Sequence, residues 1–251
     1  MIFHFSVLFF SVFFAVGLEL VAQSSILASW NWYLLSIFPL IILSLIASKR
    51  LTDRFLDAFI PILLSISSPT LLSLVDSPAE RQVFIVLSAV MYYFSLLGNY
   101  RLRHAPTDKT GEAFLNTAAM AALFFYYAGL YGFYLNFSFP LWGLMILYFL
   151  GAALTSYETF MTVDRKERKR VIMYSALLGL IMGEMAWVMS LWPFGYLTTG
   201  VLGVIFYFIA WDIAFDAFRE SLSLRKAVIR ILFFLGLIGL LLISSPWRIL
   251  V

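Results

Sequence analysis

The chain has no cysteine, two histidines and only 12% charged residues among its 251. Without cysteine there is no disulfide, no thiolate metal site and no cysteine nucleophile. His4 sits in an apolar run and His104 in a basic loop, and two such residues do not furnish a histidine-rich haem, di-iron or zinc centre. The P-loop, G-x-G-x-x-G, H-E-x-x-H and G-x-S-x-G patterns are all absent. The five lysines (Lys49, Lys109, Lys166, Lys169 and Lys226) lie in or beside predicted loops, which argues against a Schiff base within a membrane. No cofactor and no metal are expected.

What is present is hydrocarbon. The composition is 63% hydrophobic and 18% aromatic, with a mean hydropathy of +0.95. A soluble domain carries about 25% charged residues and cannot hide so much apolar surface in one core. Lipid removes the conflict, so the sequence reads as an all-α polytopic transmembrane bundle. The net charge of +3 is accounted for by loop placement, and nucleic acid is not expected as a partner.

Nine apolar runs are long enough for helical spans: 1–20, 31–48, 55–75, 82–100, 112–135, 139–161, 171–191, 194–216 and 227–245. The first has no basic residue before it and reads as a retained span, not a cleaved signal. The links between runs alternate in charge. Of 17 Lys and Arg residues, 15 fall in alternate links or at their edges and only Arg81 and Arg248 fall on the other side. Positive loops stay inside. This predicts a cytoplasmic N-terminus and an external C-terminus, in a cell (plasma) membrane and, from the compact cysteine-free loops, in a prokaryote. Short links leave no room for a soluble domain, so residues 1–251 form one membrane domain. The 101–111 loop is the place where it could subdivide, into 1–100 and 112–251.

Several residues stand out against this background. Ser175, Gly179 and Gly183 recur every four residues, a small-residue stripe that lets helix backbones approach in lipid. Gly195, Thr199 and Gly203 form a comparable row on the next span, so the two rows are expected to pack spans seven and eight or their neighbours. Glu184 follows about 14 residues, or roughly 20 Å, into its span. An acid at a helix centre costs about 2.5–3.5 kcal/mol, so Glu184 is expected to face the bundle, either as a proton, cation or ligand contact or as a neutral acid hydrogen-bonded to a neighbouring helix. Asp212 and Asp216 share a helix face at i and i+4. With Arg219 and Arg225 close by in sequence, ion pairing is the simpler expectation for them than metal or acid–base work. Glu158 occupies a similar boundary position.

The cluster Arg165, Lys166, Arg168, Lys169 and Arg170 suits anionic lipid head groups. Trp30, Trp32, Tyr33, Trp142, Trp192, Tyr196 and Trp247 fall near the predicted outer boundary as an interfacial belt. Mid-span tyrosines such as Tyr92, Tyr126, Tyr127 and Tyr207 need partners inside the bundle.

Three readings follow. The first is a non-catalytic transporter or a ligand- or lipid-binding bundle that uses Glu184. The second is an enzyme for a lipid-linked substrate, using Asp212, Asp216 and Glu158 at the cytoplasmic face. The third is an assembly subunit that binds another membrane protein or a second copy of itself. The absence of any catalytic motif leans away from the enzyme.

Overall fold

A computed structural model describes residues 2–23, 30–53, 56–105, 107–137, 139–163, 167–219 and 223–244. Among these residues the regular structure is entirely helical: α1 (Ile2–Gln23), α2 (Trp30–Thr52), α3 (Phe59–Leu72), α4 (Pro78–His104), α5 (Lys109–Asn136), α6 (Leu141–Val163), α7 (Arg168–Ser190), α8 (Tyr196–Phe218) and α9 (Leu224–Ser244). Six of them, α1, α4, α5, α6, α7 and α8, are long and apolar enough to cross a membrane. Helices satisfy the backbone amides beyond their first turn internally, which is what a hydrocarbon solvent demands. Large apolar side chains on their outer faces stay uncovered: Phe5, Leu8, Phe9, Val12, Phe13 and Val16 of α1 are all exposed. A soluble monomer rarely shows so continuous an apolar face.

The chain forms two compact units, Met1–Gly129 and Leu130–Val251, and the break falls within α5. The 101–111 loop, the expected place of subdivision, lies inside the first unit. There Arg101 Nε meets Asp108 Oδ2 at 2.5 Å, and Asp108 Oδ1 accepts from the Thr110 amide at 3.0 Å. Asp108 therefore caps the first turn of α5, the place where a carboxylate satisfies free amides. The Arg101 guanidinium, together with the Thr110 and Gly111 amides, holds its carboxyl below the usual carboxylate range.

The first unit is built around α3. The run 55–75 was expected to cross as one span, but it folds as a 3₁₀ turn (Leu56–Ala58) followed by a 14-residue helix. At 1.5 Å per residue α3 reaches about 21 Å, short of a core of about 30 Å. Eleven of its residues are buried, and α1, α2 and α4 pack around it. Pro61 and Pro69 explain part of the shortening, because each leaves a carbonyl four residues earlier without its amide donor. Asn99 of α4 fills the first gap, with Nδ2 donating to the Asp57 carbonyl at 2.7 Å. Before this element α2 ends at Asp53, whose φ of 57° and amide bond to the Lys49 carbonyl at 3.0 Å make a left-handed stop.

The second unit is centred on α6 and α7, which pack antiparallel through their small residues. A Cβ at Gly179 would lie 2.9 Å from the Phe149 carbonyl oxygen, and one at Gly183 would lie 3.1 Å from that of Met145. The Ser175–Gly179–Gly183 stripe thus seats α6, the preceding neighbour, and not α8. In the second row, Thr199 and Gly203 are buried, whereas a Cβ at Gly195 would meet nothing within 4 Å. Asp212 and Asp216 both accept from Arg230 Nη1, at 2.6 and 2.7 Å, which ties α8 to α9.

Candidate functional site

In the second unit α7 and α8 diverge enough to leave an apolar groove of about 410 Å³. Tyr174, Ile181 and Met185 line one wall, and Phe206, Ile213 and Ala217 line the other. Both walls span twelve residues, about 17 Å along the helix axes. That is close to one leaflet of hydrocarbon, about half of 30 Å. At the Tyr174–Ala217 end stands Arg170, whose Nη2 donates to the Ala217 carbonyl at 3.4 Å and whose guanidinium carbon lies 5.2 Å from the Phe218 ring centre. Arg219 stacks over Phe215 at 4.2 Å beside it. The exposed Arg168 and Lys169 start α7 at the same end. The groove is thus apolar along its length, and its basic mouth also carries Glu167, whose Oε2 lies 3.3 Å from Arg170 Nη1. Arg165 and Lys166, of the same predicted cluster, lie outside the described residues.

Glu184 does not take the expected place. It is exposed, on a face with Met173, Leu177, Leu180, Trp187 and Leu191. These residues recur at alternating steps of four and three, the seam spacing of a left-handed helix pair. The opposite face of α7 is given over to Gly179 and Gly183 against α6, so rotation of the helix carries Glu184 outward. The acid buried in this unit is Glu158, with 3% of its surface exposed. It lies in a polar layer where Ser156 Oγ is 3.0 Å from Tyr207 OH and Trp211 Nε1 donates to Thr159 Oγ1 at 3.3 Å. Neither Glu158, Asp212 nor Asp216 lines the groove. Among the described residues no group of three His, Cys, Asp or Glu side chains is arranged to hold a metal.

A family profile covers residues 2–244 under the description "Protein of unknown function (DUF5656)". The chain belongs to the DUF5656 family. No curated protein and no solved structure matches it. The match runs over both units of this DUF5656 chain, so the membership includes the groove and the serine-rich core described next.

That core, in the first unit, was not anticipated. Ser44 Oγ lies 2.6 Å from Ser65 Oγ, 3.0 Å from Tyr92 OH and 3.3 Å from the Pro61 carbonyl oxygen. Ser65 donates to the Pro61 and Leu40 carbonyls, at 3.0 and 3.2 Å. Phe14 stacks flat on Tyr92 with ring centres 4.2 Å apart. Around this hub the hydroxyls of Ser48, Ser67, Ser68 and Ser88 are buried and make no hydrogen bond. A buried hydroxyl left unmet costs about 1–3 kcal/mol, so four would consume much of a net stability of about 5–15 kcal/mol. The signal in the sequence was the repetition of serine inside apolar runs beside Pro61 and Pro69.

Proposed function

We propose that the chain is a non-catalytic integral membrane protein that binds an anionic phospholipid between α7 and α8. In this reading it crosses a prokaryotic plasma membrane nine times, with its N-terminus in the cytoplasm, and the 3₁₀ turn and the 73–77 link complete the crossing that α3 alone is too short to make. The 15-to-2 division of basic residues supports that orientation. The observation that carries the lipid assignment is the groove itself: an apolar trough about one leaflet long that opens at Arg170. An acyl chain fills such a trough without polar cost, and a phosphate at the mouth meets guanidinium groups, which bind it with fixed geometry. The test compares the detergent-purified protein with added phosphatidylglycerol and with added phosphatidylcholine, by native mass spectrometry. Phosphatidylglycerol is expected to stay bound, and Ala210→Trp, which fills the groove, is expected to remove it. Equal retention of both lipids, or retention by Ala210→Trp, refutes the assignment.

A second reading, assembly within the bilayer, is favoured by Glu184 on the exposed α7 seam. Polar side chains on helix faces promote helix association in lipid. Because the chain lacks cysteine, Leu180→Cys offers a single site for disulfide capture of a second copy. A cross-linked dimer formed in native membranes and lost on adding Glu184→Leu supports this reading, and a monomer throughout dismisses self-association along the seam.

A further inference from the structure

The four hydroxyls without partners in the first unit fall into a pattern. Each helix that contributes to the Ser44–Ser65–Tyr92 hub also carries one of them a turn away: Ser48 follows Ser44 on α2, Ser68 follows Ser65 on α3, and Ser88 precedes Tyr92 on α4. Residues three or four apart share a helix face, and α3 runs antiparallel to α2 and α4, so Ser68 and Ser88 lie one turn to the same side of the hub and Ser48 one turn to the other. Ser67 projects from another face of α3 and stands apart. All three have 1% or less of their surface exposed.

Hydroxyls inside a helix usually turn back onto the carbonyl four residues before, and others in this unit do so: Ser11 onto Val7, Thr52 onto Ser48 and Thr70 onto Ile66. Ser48, Ser68 and Ser88 instead hold their oxygens away from the backbone. Beside them the Ser65 carbonyl has lost its helical donor, because residue 69 is proline. Asn99 supplies a donor at the equivalent gap made by Pro61.

We infer that the first unit encloses bound water, held by Ser68, Ser88 and the Ser65 carbonyl, which extends the Ser44–Ser65–Tyr92 hydrogen-bond chain along the interior of α3 and α4. Water fits the chemistry. Each hydroxyl can both donate and accept, the carbonyl needs a donor, and a buried water makes about three such bonds. The inferred water-binding groups are neutral oxygens, with no carboxylate among them to offset an ion's charge.

The sign of a stability change tests this. If the site is dry, Ala at Ser68 or Ser88 removes an unmet polar group and raises the melting midpoint. If it is wet, Ala breaks the bonds of a bound water and lowers it. We expect Ser68→Ala and Ser88→Ala each to lower the midpoint of the detergent-purified full chain, and the double variant to lose less than the sum, because the two share solvent. X-ray radiolytic footprinting, which generates radicals from bound water, supplies an independent readout. Tyr92, with 0% of its surface exposed, is expected to be oxidised in the parent and several-fold less in the double variant. A raised midpoint in either single variant, or an unmodified Tyr92 in the parent, overturns the inference. A parent midpoint that depends on sodium over choline at equal ionic strength, and loses that dependence in the double variant, overturns it in favour of a bound cation.

Discussion

Replacing Gly179 with alanine places a methyl carbon 2.9 Å from the Phe149 carbonyl oxygen and 3.0 Å from the Ala153 Cβ. Both obstacles are backbone or backbone-bound atoms, so the conflict can be relieved only by moving α6 away from α7. Overfilling a packed interface costs about 1–3 kcal/mol. Against this, alanine gains about 1 kcal/mol over glycine in a helix. Gly183→Ala meets the Met145 carbonyl oxygen at 3.1 Å, a milder conflict, and Gly236→Ala on α9 meets nothing within 4 Å. The helix-propensity gain is common to all three and cancels on comparison. Gly179→Ala is therefore expected to fall about 1–3 kcal/mol below Gly236→Ala, with Gly183→Ala between them. Gly179→Leu should be worse than any of the three. Unfolding in mixed micelles, followed by helicity as the fraction of sodium dodecyl sulfate rises, measures the order. Equal midpoints for Gly179→Ala and Gly236→Ala would refute the claim that the stripe is a close interface.

Three further outcomes are expected. Asp108 has its carboxyl pKa lowered by Arg101, so its contribution is present above the ordinary carboxylate range and is lost as pH falls through the depressed value; Asp108→Asn should flatten the acid limb of a stability–pH curve, and an unchanged limb would remove Asp108 from that account. Arg230→Gln leaves Asp212 and Asp216 facing each other one turn apart without their shared cation and should lower the melting midpoint, and adding Asp212→Asn should recover part of the loss; an unchanged melting curve for Arg230→Gln would show that the pair is worth nothing. Labelling of single cysteines placed at Asp108 and Asn136 should occur from opposite sides of sealed vesicles, and labelling from one side would break the alternation on which the nine-span orientation rests.

The helices were legible because the apolar runs are long and their ends are punctuated by charge. Run 171–191 appears as Arg168–Ser190 and run 194–216 as Tyr196–Phe218. Run 82–100 extends at both ends, to Pro78 and His104, because a helix continues past its apolar stretch until a cap or proline stops it. The exception is 55–75, whose apolar character conceals two prolines and an amide from Asn99 on another helix. Rotation was not legible. A helix that is apolar all round carries little directional signal, so composition cannot say which face of α7 meets protein. The small-residue stripe held that information: Gly179 and Gly183 mark the packed face, and Glu184 lies one step of about 100° beyond Gly183, on the way out. Glu158, by contrast, looked like a boundary residue and is buried, on the stretch of α6 where Ser156 and Thr159 meet Tyr207 and Trp211 of α8. The serine hub was written in three separate runs, and only folding brings Ser44, Ser65 and Tyr92 together.

Depth accounts for how Glu184 can be tolerated on an uncovered face. It is six residues, about 9 Å, from Ser190 at the end of α7, and sixteen residues, about 24 Å, from Arg168 at the start. The cost of 2.5–3.5 kcal/mol applies at the centre of a span, and it falls toward the interface. Trp187 and Trp192 stand near the same Ser190 end. No internal partner is then needed, and none was built: the space beside α6 was spent on backbone contact at Gly179 and Gly183. An acid that the fold does not use internally still limits what can cover α7, since an occupant of the seam must meet Glu184 with a donor or with its own acid. That requirement separates the two surfaces of the second unit on which the proposed readings rest. The groove between α7 and α8 asks for hydrocarbon with an anion at its Arg170 mouth, while the seam asks for hydrocarbon with a hydrogen-bond donor near its Ser190 end.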